Sequence, residues 1–317
     1  YCERNGIEFK SYEDYLLTPK NLFHHKSFTP FYNEARKIKV REPETYDGKL
    51  GKEDSLEVDF LLSFKKMESP LFNGGRKEGL KLLEREFDYS KRDYPSEDGN
   101  SHLSPHLKFG TVSMREAYYK KLDNEDFVRE LYWRDFYTLL AFYNPHVFGN
   151  CYRREFDYLE WENNSEYFNA WKEGKTGYPI VDAGMRALNA TGYINGRLRM
   201  ITAFFLVKVL FVDWRLGEKY FATKLVDYDP AINNGNWQWV SSTGVDYIFR
   251  VFNPWKQQEK FDPEAKFIKD WVEELRDYPP SVIHSLYKTK VPGYPQPIVD
   301  WKERVELVRE KFKELMN

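Results

Sequence analysis

The chain has 317 residues, a formal net charge of −2 and two cysteines, Cys2 and Cys151. That length suffices for one large or two ordinary domains with a sizeable core. The charge argues against a purely electrostatic nucleic-acid coat but leaves room for a local basic groove; two cysteines exclude a disulfide framework and a cysteine-rich metal site, and point to an intracellular, reducing compartment.

In chain order, residues 1–20 hold Gly6-Ile7-Glu8-Phe9 and then Tyr15-Leu16-Leu17 before Pro19. They read as the tail of a strand-containing α/β unit. Residues 21–69 read as a linker, because 33–68 are charged and poor in periodicity. Residues 70–317 read as one mainly α domain. Pro70 opens a helical stretch with Leu80, Leu83 and Phe87 at i, i+3 and i+7. Ser104-Pro105 reads as an N-cap and first-turn pair. Phe127 to Phe142 carries apolar residues at helical spacing. Leu198 to Leu216 is apolar, but Arg199, Lys208, Asp213 and Arg215 interrupt it, so it reads as a buried helix, not a membrane span. Pro279-Pro280 and Pro292 to Pro297 mark a loop. Trp301, Val305, Val308, Phe312 and Leu315 then alternate by four and three, as in an amphipathic helix. No strand alternation is visible after residue 70.

The most unusual stretch is Asp227 to Thr243. It mixes two carboxylates, side-chain amides, a glycine, Trp237 and Trp239. Buried polar groups need partners, and tryptophans are costly to expose. A polar, aromatic ligand satisfies both. Three further clusters have two readings each. Asn100-Ser101-His102-Leu103-Ser104-Pro105 suits a phosphate at a helix start, or is an ordinary cap. Glu130, Trp133 and Arg134 share one helix face, towards a ligand or as a surface ion pair under an indole. Arg199 pairs with Asp227 or Asp229 beside a cofactor, or in a purely structural bridge. The six histidines are scattered, so no metal site is expected. Phosphate loops of the Gly-x-Gly-x-x-Gly or Walker kind are missing.

These clusters, in this order, resemble the photolyase/cryptochrome family. The carrying phrases are Gly174-Lys175-Thr176-Gly177-Tyr178-Pro179-Ile180-Val181-Asp182-Ala183, Arg197-Leu198-Arg199-Met200-Ile201-Thr202 and Asn233-Asn234-Gly235-Asn236-Trp237-Gln238-Trp239. Phe252-Asn253-Pro254 and Lys260-Phe261-Asp262-Pro263 extend the match, which runs from Phe28-Thr29-Pro30-Phe31 to the last helix. The chain is most similar to class I cyclobutane pyrimidine dimer photolyases.

The resemblance implies an all-helical FAD-binding domain that repairs UV-damaged DNA by light-driven electron transfer. The alternative is a cryptochrome-like blue-light receptor without repair. Tyr89 and Asn100, Ser101, His102, Leu103 and Ser104 are expected at the FAD phosphates. Phe127 and Arg134 are expected by the cofactor, Arg199, Asp227 and Asp229 along flavin and ribose, and Asn233 at the flavin N5 edge. Glu130 and Trp133 are expected between cofactor and lesion, with Met200 and Trp239 at the flipped dimer and Arg197 and Arg250 at DNA phosphates. Trp237, Trp214 and Trp161 match the family's electron-transfer chain.

Departures from the family are Asn100 for a threonine, Phe127 for a tryptophan, and Tyr193-Ile194-Asn195-Gly196-Arg197 for Trp-Met-His-Asn-Arg, which leaves Gly196 without an amide. The amino-terminal antenna domain is expected to be mostly absent, so an antenna chromophore is not expected on this chain alone. A separate chain is expected to carry that half.

Overall fold

A computed structural model describes residues 1–9, 15–22, 25–44, 71–246 and 248–316. The helices are α1 (Phe28–Ala35), α2 (Arg76–Glu84), α3 (Ser104–Lys108), α4 (Met114–Lys120), α5 (Glu125–Tyr143), α6 (Ser165–Glu173) and α7 (Pro179–Thr191). They continue as α8 (Gly196–Lys208), α9 (Trp214–Lys224), α10 (Pro230–Ser241), α11 (Pro254–Phe261), α12 (Lys266–Trp271), α13 (Pro280–Ile283) and α14 (Trp301–Met316). Among the described residues there is no strand, and no helix is long and apolar enough to cross a membrane. The mainly helical expectation holds.

Caps explain many of the boundaries. Asp229 accepts from the N–H groups of Ala231 and Ile232 and starts α10, with Pro230 in the first turn. Asn124 caps α5, Asn195 caps α8, and Ser113 with Glu116 forms a capping box on α4. Gly174 and Gly192 end α6 and α7 in the left-handed conformation.

Two apolar cores result. One gathers α1, α5 and the segments around Leu17 and Val40; the other gathers α7 to α10, α12 and α14. Helix α10 is the hub, packed on α5, α8 and α9. Behind it the amine of Lys208 is fully buried. It donates to Ser241 O and Ser242 Oγ, both at 2.9 Å, and lies 3.9 Å from the Phe312 ring of α14. Burial pushes its pKa well below the ordinary lysine value.

Several local expectations change. The described part of 1–20 has no strand; Glu3–Asn5 forms a single 3-10 turn. Tyr15, Leu17 and Thr18 instead knit onto the helical body, since Leu17 N, Thr18 N and Thr18 Oγ1 all donate to Asp135 at 2.9 Å. The stretch read as linker contains α1, whose Phe28, Phe31 and Ala35 are buried against α5; residues 45–69 lie outside the described residues. Pro70 also lies outside them, and the following helix starts at Arg76, after a bend at 71–75 rich in glycine. Ser104 is not the cap of α3: the helix starts at Ser104 itself, with Leu103 before it.

Candidate functional site

Where the two cores meet, a cavity of about 490 Å³ opens. One wall is α10. Asp229, Ile232, Asn233, Asn236, Trp237 and Val240 line it, a set spaced by three and four that marks one helix face. The other amides of the stretch turn away and are satisfied elsewhere. Asn234 Nδ2 donates to Val147 O at 2.9 Å, and Gln238 Nε2 donates to Asn234 Oδ1 at 2.9 Å. Asn233 Nδ2 donates to Glu218 Oε1 at 2.9 Å, which fixes its rotamer on the cavity wall. Gly235 lets α10 approach α5: a Cβ there would stand 2.1 Å from the Tyr137 ring.

The opposite wall is α5, through Glu130, Trp133, Arg134 and Tyr137. Trp133 is held in a stack, with the Phe28 ring 3.5 Å away at 7° and Tyr137 at 5.5 Å. Glu130 lines the cavity with its side chain exposed to it and to solvent. Burial raises its carboxyl above the usual range, with Arg92 and Arg129 pulling it back and Asp93 pushing further. Arg134 Nη1 donates to Tyr15 O at 3.1 Å, and the guanidinium lies over the Tyr15 ring. Its Nη2 is buried and finds no acceptor among the described residues.

Helix α8 supplies Gly196, Arg199, Met200 and Ala203. Arg199 pairs with Asp227, which resolves the choice between the two aspartates. Asp229 instead takes the Tyr15 hydroxyl and Lys108 Nζ, the latter at 3.2 Å. Burial opposes its charge, but the Tyr15 hydroxyl, the Ile232 N–H and Lys108 outweigh that and hold the carboxyl below its usual range.

The rim is the turn from Tyr89 to Ser104. Tyr89, Asn100, Ser101 and Ser104 reach the cavity. His102 and Leu103 do not: Leu103 is wholly buried in the core, and His102, at φ 55°, packs its ring on Phe72 and Tyr193. Phe127 is also behind the wall, edge-on to Tyr89 at 5.7 Å. Arg197 and Arg250 sit outside the lining, each paired with an aspartate. Trp239 lines the mouth, with Arg250 5.5 Å from its ring.

Of the three remaining tryptophans, Trp237 lines the cavity, while Trp214 and Trp161 lie behind it. Trp237 presses on Gly217 of α9, where a Cβ would stand 2.3 Å from the indole. Trp214 begins the same helix, three residues earlier. Trp161 lies beside the turn into α9, because Glu162 N donates to Phe211 O at 3.2 Å and Asp213 N to Asn163 Oδ1 at 2.8 Å. Trp171, which no motif singled out, is fully buried 6.3 Å from Trp237.

Residues 127–314, more than half of the chain, match the family described as the FAD binding domain of DNA photolyase. The chain belongs to the DNA photolyase family. It is 47% identical over 234 residues to the deoxyribodipyrimidine photo-lyase of Escherichia coli, covering 67% of this chain and 49% of that one. Against the deoxyribodipyrimidine photo-lyase of Alkalihalophilus pseudofirmus it is 37% identical over 358 aligned positions, covering 99% of this chain and 74% of that one. The photolyase structure from Sulfolobus tokodaii, described with two FAD molecules, superposes with a TM-score of 0.96 at 75% identity and covers 99% of this chain and 73% of that one. The chain thus spans about half the length of several curated photolyases it matches.

The cofactor of this photolyase domain is FAD, and the cavity's donor set fits it. The buried, unsatisfied Arg134 Nη2 offers a charged donor. The Asn100, Ser101 and Ser104 edge is polar and the Trp237, Phe221 and Val240 side apolar, as an amphiphilic dinucleotide requires.

Proposed function

We propose that the chain holds FAD in this cavity and repairs UV-damaged DNA in light, acting on cyclobutane pyrimidine dimers. The observation that carries the reading is the mouth: Trp133, Trp239 and Glu130 all border the cavity whose inner wall is Asn233 and Trp237. FAD bound there supplies the light-driven one-electron chemistry.

The chain's own residues do the rest. Ser101, Ser104 and Asn100 would hold the pyrophosphate, and Arg199 with Asp227 would border flavin and ribose. Asn233, neutral and pinned by Glu218, offers its amide to the flavin edge without adding charge. Trp133 and Trp239 present apolar surface to an extruded dimer, the usual way for such enzymes to reach a base. Glu130, whose carboxyl is raised above the usual range, donates a hydrogen bond to a pyrimidine carbonyl in its protonated form. Arg197 and Arg250 meet phosphates of the strand. Trp161, Trp214 and Trp237 carry an electron from the surface to the cavity wall.

The test has two steps. Purified protein should show a flavin absorption spectrum, and blue light should restore dimer-containing DNA. A flavin spectrum without repair would support the photoreceptor reading instead; a colourless protein that takes up no FAD would end both.

A further inference from the structure

The two arginines assigned above to DNA phosphates are both occupied by the chain itself. Arg197, the second residue of α8, sends Nη2 to Asp93 Oδ2 at 2.5 Å and lies 4.3 Å from the Phe261 ring. Arg250 pairs with Asp246 at 2.7 Å. All four side chains are partly open to solvent, between 18% and 35%. Asp93 is not a floppy partner. Its strand of loop is fixed by Asn195 Nδ2 and Asn100 Nδ2 on Arg92 O, at 3.0 and 3.3 Å, and by Tyr94 packed on Phe261 at 5.7 Å. It also stands close enough to Glu130 to raise that carboxyl.

We propose that Asp93, and in the same manner Asp246, is a displaceable counter-ion that makes the rim selective for damaged DNA. This inference rests on the DNA-repair reading of the cavity. Carboxylate and phosphate compete for the same guanidinium fork. A guanidinium already neutralised adds little to attraction for an ordinary duplex, because trading one anion for another releases no net counterion. An extruded dimer changes the trade. Once the lesion occupies the cavity, its flanking phosphates are held at the rim at high local concentration, and the exchange then goes through. Asp93 thus lowers binding to undamaged DNA more than binding to damaged DNA, which is discrimination by a built-in competitor.

The experiment uses the FAD-loaded full chain in the dark, with fluorescence anisotropy on undamaged and dimer-containing duplexes over a salt series. Asp93→Asn should tighten binding to undamaged duplex by roughly tenfold and dimer-containing duplex by clearly less; the log–log salt slope should steepen by about 0.9, one phosphate. Asp246→Asn should act alike. Unchanged or weaker binding to undamaged duplex, at unchanged melting temperature and flavin content, would overturn the proposal. The charge-neutral double variant Arg197→Gln with Asp93→Asn gives a second arm: it should cost affinity on dimer-containing duplex and leave undamaged duplex nearly unmoved, and an equal loss on both would overturn it. A wild type that binds DNA without preferring dimers sinks the repair reading while the salt slopes still decide the counter-ion. A wild type and an Asp93→Asn variant that both ignore DNA sink both.

Discussion

Arg199 Nη2 reaches both carboxylate oxygens of Asp227, at 3.1 and 2.8 Å, across the step from α8 to the turn before α10. Only 4% of the Asp227 side chain is exposed, while Arg199 keeps 29%. Removing Asp227 leaves the guanidinium without its counter-ion on the cavity wall. Asp227→Ala should therefore lower stability by roughly 2–3 kcal/mol, below the full cost of a wholly buried pair because Arg199 is partly hydrated. Urea titration of the flavin-free chain checks this, and the flavin content of the same variant should fall. An unmoved midpoint would mean the pair is not holding α8 to α10.

Glu130 gives a second prediction, with its sign fixed by its environment. Burial favours the protonated form, which can donate. Affinity for dimer-containing DNA should therefore decline as pH rises beyond the ordinary carboxylate range. Glu130→Gln keeps a donor without a proton to lose, so it should retain binding and flatten that decline. Glu130→Ala should weaken repair by about 100–1,000-fold, the scale of one lost preorganised donor, while flavin content stays as in wild type. Full repair by the alanine variant would remove the role assigned to Glu130.

The indole series makes a third. Trp161→Phe should slow light-driven flavin reduction strongly and leave repair intact once the flavin is reduced chemically. Gly217→Ala probes the same series by displacing an indole rather than replacing it. Its methyl would stand 2.3 Å from Trp237 and 2.6 Å from Leu206, so the tryptophan must shift. Overpacking of this kind costs about 1–3 kcal/mol, and the helix gains back about 1 kcal/mol from alanine. Transient absorption on both variants gives the readout; wild-type photoreduction in Trp161→Phe would refute the path.

Stability should also depend on pH through two buried carboxyls outside the cavity. Asp135 is pushed up to about 7, chiefly by burial, against three donors from Leu17 and Thr18. Asp182 is pushed up to about 6 by burial, with Thr176 and Tyr294 opposing. An unfolded aspartate titrates near 3.9, so between about 4 and 7 the native chain holds the proton more tightly. The stabilisation is complete below the unfolded value and is lost as pH rises through the folded one. In Asp135→Asn the amide oxygen keeps the three acceptor contacts and no proton is lost. The variant should melt close to wild type at pH 5 and increasingly above it towards pH 8, as wild type alone loses its proton; a difference that does not move in the variant's favour as pH rises would contradict the assignment.

The motifs were legible because they are local. Asp227, Asp229, Asn233 and Trp237 fall on one helix face, and so do Glu130, Trp133 and Arg134; the cavity unites both faces. Tyr137 was within reach of the same reasoning, one further turn along α5. Tyr15, Phe28 and Lys108 were not, because each meets its partner across a long stretch of chain, 214 residues for Tyr15 and Asp229, and Glu218 meets Asn233 only through the packing of α9 on α10. Periodicity carries no record of such pairings. His102, Leu103 and Phe127 mark the opposite limit. They stand inside or beside recognisable phrases, yet the backbone turns them into the walls, since Leu103 precedes α3 and His102 sits at positive φ. The start of α3 at Ser104 follows from the same turn, where the Ser101 hydroxyl takes up Leu103 N at 3.3 Å. Trp171 shows what motif reading misses in kind, because only packing brings it to Trp237.

Lys208 ties two distant ends of the molecule together. Its nitrogen is kept dry by Phe312 and Phe249, which disfavours its charge, while it grips the last carbonyl of the helix that bears Trp237. Clipping the chain before Phe312 would admit water to that nitrogen, ease its charging and let the solvent compete for the carbonyl it holds. Damage confined to the tail would then be felt first as a slackened grip on the tryptophan helix, well before the bundle itself came apart.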